Sequence, residues 1–230
     1  MIETYDLLTT DKRKRLTANI TLTECACRDG TPIVHVDRDL LEKEQKCRDY
    51  FQRPIIIGSW YRTSAYNKQI GGAANSWHIA GMACDKDIGS GKEQINPLVV
   101  AMYDEAIAGY GGIGLYQYAD GRSWVHNDTG DRGKYWFCNK PGVYQYRDSF
   151  LPILKKQIVY RWKHDILIMQ YLLNRCGESC KQDGKFGVET LKALKKFQAA
   201  AKITVDGICG AVTWKRLFSL SGTWGDWNGF

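Results

Sequence analysis

Residues 76–85 read S-W-H-I-A-G-M-A-C-D, and this stretch decides how the rest of the chain is interpreted. It holds His78 and Asp85 seven residues apart, with Gly81 between them. From Gly81 onward the residues alternate. Ala83, Asp85 and Asp87 fall on one side, and Met82, Cys84, Lys86 and Ile88 on the other, which predicts a strand and a rigid mount for Asp85. The chain has four histidines, His35, His78, His126 and His164. His126 lies in W-V-H-N-D (124–128), where period two puts Trp124, His126 and Asp128 on one strand face. Two imidazoles and one carboxylate suit a catalytic zinc ion whose fourth position is left to water.

The pattern S-x-H-x-x-G-x-A-x-D, here Ser76, His78, Gly81, Ala83 and Asp85, followed by x-V-H-x-D, resembles the zinc D-alanyl-D-alanine carboxypeptidase family. That family shares its fold with the Hedgehog signalling domain. The likeness extends to A-N-I-T-L-T-E-C-A-C-R-D-G (18–30), P-I-I-I-G-S-W-Y-R-T (54–63), Y-N-K-Q-I-G-G-A (66–73) and H-N-D-T-G-D-R-G-K-Y-W (126–136), covering residues 16–137. It implies an α+β, Hedgehog/DD-peptidase-like catalytic domain with one Zn2+ held by His78, Asp85 and His126. It also implies that Arg62, just beyond the strand at Ile55–Ile57, grips a substrate carboxylate, a task suited to a bidentate guanidinium. Ser76, Arg132 and Trp136 are the further substrate-side positions, and Ser76 and Trp77 shape the loop. Several relatives carry a carboxylate three residues before the last histidine, where this chain has Ser123. Asp128 is the substitute. It lies roughly 6.6 Å along the strand from His126 and has two roles open to it, general base or orienting partner of the ligand histidine.

Composition bounds these readings. The chain has 230 residues, 44% hydrophobic and 25% charged, room for one large domain or two modest ones. No apolar run approaches the roughly 18 residues of a membrane span. The first fifteen residues lack a basic start followed by an apolar core, so no secretory signal is expected. The net charge of +7 is uneven: residues 1–150 hold 19 basic and 19 acidic side chains, and residues 151–230 hold 13 and 6. That basic excess suits anionic wall polymers or nucleic acid. Eight cysteines are irregularly spaced, and Cys25-x-Cys27 is one residue short of a zinc C-x2-C pair, so buried free thiols are expected.

Along the chain, Leu40, Leu41, Glu44, Cys47, Arg48 and Phe51 fall at helical spacing within 38–52, with Asp37 as N-cap and Pro54 beyond the end. Ile55–Ile57 reads as a buried strand. Asn96-Pro97 opens a helix that Gly109 ends. Ile113–Tyr118 and Trp124–Asp128 read as strands joined by a turn at 119–121. Residues 139–163 read as a connector containing one helical turn. After it, Asp183-Gly184-Lys185-Phe186-Gly187-Val188-Glu189-Thr190 is echoed 23 residues later by Asp206-Gly207-Ile208-Cys209-Gly210-Ala211-Val212-Thr213. Each copy is a tight turn that opens a helix. A helix over Ile166–Arg175 precedes them, with Leu167, Met169, Tyr171 and Leu172 as core candidates. Together with Gln170 to Asn174 and Lys196-Phe197-Gln198, the repeats resemble the small three-helix peptidoglycan-binding domain.

The expected organisation is a catalytic domain at 1–150, a peptidoglycan-binding domain at 160–220 and an aromatic, Gly-rich tail at 221–230. The tail's Trp224, Trp227 and Phe230 suit either sugar stacking or folding back onto the protein. The implied function is a zinc peptidase that cuts the peptide part of peptidoglycan, resembling a phage endolysin against a Gram-positive host. Such a chain accumulates in the cytoplasm and acts on the wall, its second domain raising local substrate concentration. A bacterial autolysin or D,D-carboxypeptidase is the nearest variant. A wall-binding protein with structural zinc is the rival class, kept open by Ser123. Nucleic-acid binding is the weakest, because nothing in the repeats resembles a base-reading helix.

Overall fold

The computed structural model describes residues 1–156 and 163–225. In chain order its strands and α-helices are β1 (Ile2–Asp6), β2 (Ile33–Asp37), α1 (Arg38–Phe51), β3 (Ile55–Ser59), α2 (Ser64–Gln69), β4 (Ala83–Ile88), α3 (Pro97–Tyr103), β5 (Gly112–Gln117), β6 (Ser123–Asp128), β7 (Lys134–Lys140), β8 (Val143–Arg147), α4 (Lys163–Arg175), α5 (Val188–Ala200) and α6 (Ala211–Leu220). The fold is α+β: a sheet-rich N-terminal part is followed by three helices. Among the described residues, β1 and β2 form a two-stranded antiparallel sheet, and the other six strands form one sheet in the order β3-β4-β6-β5-β7-β8. β5 and β7 run parallel, and the other neighbours in the large sheet are antiparallel.

Alternation along β4, β5 and β6 divides this sheet into two faces. Cys84, Lys86 and Ile88, with Ile113, Leu115 and Val125, are buried on the face that α1 and α3 cover. Asp85, His126 and Asp128 stand on the other. Asn96 Oδ1 accepts the Leu98 amide before α3 with Pro97 at its first turn, as expected. Asp37, by contrast, precedes α1 without a side-chain cap bond, its carboxylate accepting from the N-terminal ammonium at 3.0 Å and from Thr129 Oγ1 at 2.7 Å. The turns beyond α3 widen over Asp104–Ala108, where Gly109 N donates to Asp104 O at 3.2 Å.

Lys86 is the exception on the apolar face. Its side chain is fully buried, with Nζ 2.7 Å from Glu44 Oε2 and 3.3 Å from Asp104 Oδ2. Burial opposes the ammonium charge, but Asp104 and Glu44 outweigh it and hold the lysine pKa well above its ordinary value. Glu44 Oε1 also accepts the Tyr110 hydroxyl at 2.9 Å, so the cluster is hydrogen-bonded as well as paired.

In the C-terminal part, each repeat is read by a buried glutamine. Gln170 Oε1 accepts the Asp183 and Gly184 amides at 3.1 and 2.9 Å, while its Nε2 donates to Thr190 Oγ1 at 3.0 Å. Gln198 does the same one repeat later, accepting Gly207 N at 2.9 Å and donating to Thr213 Oγ1 at 3.3 Å. Gly184 and Gly207 have φ of +68° and +71°, which is why each turn carries glycine.

Several expectations change. Ile55–Ile57 is an edge strand, not a buried one: its residues alternate between half-buried and exposed, and Ile56 is 44% exposed. Leu167 is half-buried while Ile166, Ile168 and Leu173 join the core. Residues 139–147, expected to begin a connector, belong instead to the β7–β8 hairpin. Residues 157–162, Trp227 and Phe230 lie outside the described residues. Trp224 is buried, with its ring 4.7 Å from Tyr171 and 5.7 Å from Phe51, and its amide donates to Tyr50 O at 2.7 Å. It therefore packs between α1 and α4 and offers no stacking surface. The helices are also not simply strung from the sheet. Trp214 Nε1 donates to Pro152 O at 2.7 Å, and Leu154 and Cys209 exchange backbone hydrogen bonds.

Removing one partner of a buried pair leaves uncompensated charge. Lys86→Met is therefore expected to lower stability by about 3–5 kcal/mol, read as a drop in the denaturant midpoint at neutral pH. An unchanged midpoint would show that the cluster carries no stability.

Candidate metal centre

The loop before β4 sets up the first donor. Ser76 Oγ accepts the His78 amide at 3.4 Å and opens a single helical turn over Trp77–Ala80. Gly81 ends that turn at φ +72°, and a Cβ there would stand 2.1 Å from His35 O. Only glycine meets both demands. His78 Nδ1 donates to Trp60 O at 2.6 Å, which fixes the neutral tautomer and leaves the Nε2 lone pair facing the cleft.

The sheet supplies the other two donors. Asp85 on β4 and His126 on β6 are direct cross-strand partners. His78 Nε2 lies 3.2 Å from His126 Nδ1 and 3.3 Å from Asp85 Oδ2, and His126 Nδ1 lies 2.9 Å from Asp85 Oδ1. Donors bound at about 2.0–2.1 Å around a tetrahedral ion stand roughly 3.3 Å apart, so this triangle fits a small divalent cation. Among the described residues it is the one group of three or more such side chains close enough to hold a metal.

The charges agree with that fit. Burial disfavours charge on both imidazoles, and for His78 burial wins and lowers the pKa. For His126 the carboxylates of Asp128 and Asp85 outweigh burial, and the pKa is raised to about 9. Burial would raise Asp85, yet His78 and His126 hold its carboxyl well below the usual range. Asp85 is thus held as a carboxylate and His78 as a neutral imidazole, the forms in which both can donate to a cation.

Asp128 lies behind His126. Its Oδ2 is 3.4 Å from His126 Nε2, the ring nitrogen turned away from the triangle, and its Oδ1 accepts Gly130 N at 3.0 Å. Ser123 lies on the same strand as His126, but β6 pairs without interruption from Ser123 to Asp128. Period two then directs Ser123 to the opposite face. A carboxylate at that position of this strand would face away from the triangle.

Arg62 is where the reading put it, just past β3. Its Nη2 donates to Asp85 Oδ2 and its Nε to Ser59 Oγ at 2.8 Å, so it braces the carboxylate donor while lining the cleft. Arg132 Nη2 donates to Asn75 O at 2.7 Å and its guanidinium lies 4.5 Å from the Trp77 ring, which pins the His78 loop. Trp136 donates from Nε1 to Tyr116 Oη at 3.1 Å, and its ring lies 5.1 Å from that of His126.

These groups line a cleft of about 550 Å³, the size of a substrate pocket. Sequence reasoning put Trp124 on the His126 face, and it missed Trp60, whose carbonyl orients His78, and also Tyr116, Tyr144, Tyr146, Gly112 and Gly114. One signal was readable. Gly112 and Gly114 alternate on the strand beside His126, and paired glycines in a strand mark close approach of something else. A Cβ at Gly112 would meet Asp128 Oδ2 at 2.2 Å, and one at Gly114 would meet the Trp136 ring at 2.4 Å.

A buried two-histidine, one-carboxylate set that opens into a cleft is the donor arrangement of a catalytic metallohydrolase. A family model for peptidase M15 matches residues 14–128, half of the chain, and a model for a peptidoglycan binding domain matches residues 163–217. The chain belongs to the M15 peptidases, which are metallopeptidases, and its second match makes peptidoglycan its partner. No curated protein matches the chain.

If Asp128 orients His126, Asp128→Asn should weaken metal binding by about 10–100-fold, measured by competition against a chromophoric chelator. A base that does not hold the histidine would instead lower turnover at full metal occupancy.

Proposed function

We propose that this M15 peptidase is a zinc enzyme that hydrolyses the peptide part of bacterial peptidoglycan, in the manner of an endolysin, at the wall of a Gram-positive cell. The observation that carries the reading is the donor triangle of His78, Asp85 and His126, open on the cleft floor in a chain that also matches a peptidoglycan-binding domain. Bound there, Zn2+ would acidify a water molecule and polarise the scissile carbonyl.

The chain's own groups have separate tasks. Trp60 O and Asp128 hold the two imidazoles in the required orientation through the nitrogens that face away from the triangle. Arg62 steadies Asp85 and, from the same wall, offers its guanidinium to a substrate carboxylate. Ser76 and Arg132 keep the His78 loop in place beside the substrate, and Trp136 walls the opposite side. The catalytic unit is residues 1–150 and the wall-binding unit residues 160–220, whose basic excess suits anionic wall polymers. The bond cut is of the D,D or L,D type.

The rival reading, a wall-binding protein with structural zinc, is disfavoured by the same triangle. Structural zinc sites are closed by four protein ligands, whereas three donors converge here and all three line the cleft.

Purified walls incubated with the full chain should lose turbidity, a chelator should abolish the loss and added zinc should restore it. Asp85→Ala and His126→Ala should each retain under about 1% of the rate, since metal-supplied stabilisation amounts to several kcal/mol. Mass spectrometry of the fragments would identify the bond from its new termini. Wall binding without release of fragments would overturn the enzymatic reading.

A further inference from the structure

The cleft has two unlike rims. Residues 70–77 form one, presenting Gly71, Gly72 and Ala73 together with Ile70 and the Trp77 ring, over which the Arg132 guanidinium lies. The sheet forms the other, and it is built of rings. Cross-strand pairing runs in one row from Asp85 to His126, from His126 to Gly114, from Gly114 to Trp136 and from Trp136 to Tyr146. Gly114 leaves a gap that the Trp136 indole fills, so the row continues as rings from the donor triangle outward. Tyr144 lies two residues before Tyr146 on β8 and shares its face. Tyr116 and Trp124, also in the lining, are stacked 4.5 Å apart and 8° from parallel.

Tyr144 and Tyr146 contribute little to the core, being 51% and 67% exposed. Both nevertheless line the cleft. The ring-bearing rim offers flat faces with polar tips; the Lys134 ammonium lies over one face of Tyr146, 5.5 Å from its centroid, and leaves the other to a ligand. Ile70, the large aliphatic residue of the lining, is on the opposite rim.

We propose that Trp136, Tyr146 and Tyr144 form a saccharide subsite. They stack on pyranose rings of the glycan strand while the attached stem peptide crosses the donor triangle. The inference deepens the proposed function and rests on it. A pyranose presents a C–H face and an equatorial fringe of hydroxyls, which matches a tyrosine ring with its polar tip. The geometry also limits the bond. Adjacent strands lie about 4.8 Å apart, so Tyr146, three strands from His126, is roughly 14 Å away. An extended peptide covers about 3.3–3.6 Å per residue. A sugar on this rim therefore delivers a bond within about four residues of the glycan.

The experiment compares kcat/KM of the full chain on a disaccharide-linked stem peptide and on the same peptide without sugar. The linked substrate is expected to be at least tenfold better. The double variant Tyr144→Ala/Tyr146→Ala should lose at least tenfold more on the linked substrate than on the free one, and Tyr144→Phe/Tyr146→Phe should recover most of that loss. Equal rates on the two substrates, or equal fractional losses, would overturn the subsite and leave the peptidase reading standing. So would a dimer at working concentration that the double alanine variant abolishes, because the rim would then face a second copy. Should neither substrate be cut, the peptidase reading fails, and binding of peptide-free glycan fragments decides the inference. At least fivefold weaker binding by the double alanine variant supports it, and unchanged binding overturns it.

Discussion

The cross-strand pairing of Asp85 with His126 is the contact on which the rest of the site depends. Two residues directly opposite in an antiparallel pair have Cβ atoms about 4.5–5.5 Å apart, so the sheet itself brings a carboxylate and an imidazole within reach of one ion. The third donor comes from outside the sheet, on a one-turn helix whose exit is fixed by Gly81 and whose imidazole is aimed by Trp60 O. A slip of one residue would reverse every side chain of β4. Asp85 would enter the apolar layer and Lys86 would emerge into the cleft, leaving Glu44 and Asp104 buried without their cation. The buried lysine cluster and the open metal triangle are two faces of one register.

The same strand geometry explains the shape of the cleft. Gly112 and Gly114 strip β5 of side chains on the site face, and Asp128 and Trp136 occupy the vacated space. One holds the imidazole from behind and the other walls it from the side. The bulge between Ile57 and Ser59 sets Ser59 beside Asp85, where it takes the Arg62 Nε hydrogen bond. Arg62, Arg132 and Trp60 thus each fix a donor or the loop that carries it, a supporting shell built from two separate stretches of chain.

The helical part adds attachment as well as recognition. Its glutamines organise the two turns from within, and its last described residues lock onto the catalytic part through Trp224, Tyr50 and Ser221, whose hydroxyl is 3.1 Å from that of Tyr50. With Trp214 bonded to Pro152 O, the wall-binding helices are packed onto the sheet-bearing part. An advantage in local substrate concentration then comes with an orientation.

Much of this was legible in the chain because the signals are local. Alternation identified β4, β5 and β6 and the face carrying Asp85, His126 and Asp128. The Asp-Gly turns identified α5 and α6, and Asn96-Pro97 the start of α3. The β7–β8 hairpin was not legible: β7 pairs in parallel with a strand 22 residues earlier, as in Gly112 with Lys134, and β8 is exposed along its whole length, so no apolar period marks it. Alternation put Lys86 on the side of Cys84 and Ile88, but its burial was not legible, since the carboxylates that hold it come from α1 and from just beyond α3. By itself the sequence determined the strands that carry Asp85 and His126, and the repeats, because side-chain direction along a strand or through a tight turn depends only on near neighbours; the grouping of His78 with them was implied by the motif resemblance. Tertiary structure alone decided which nitrogen of each histidine faces the ion, that Asp128 stands behind His126, and that aromatic rings extend the metal row, because each depends on groups that meet only when distant strands pair.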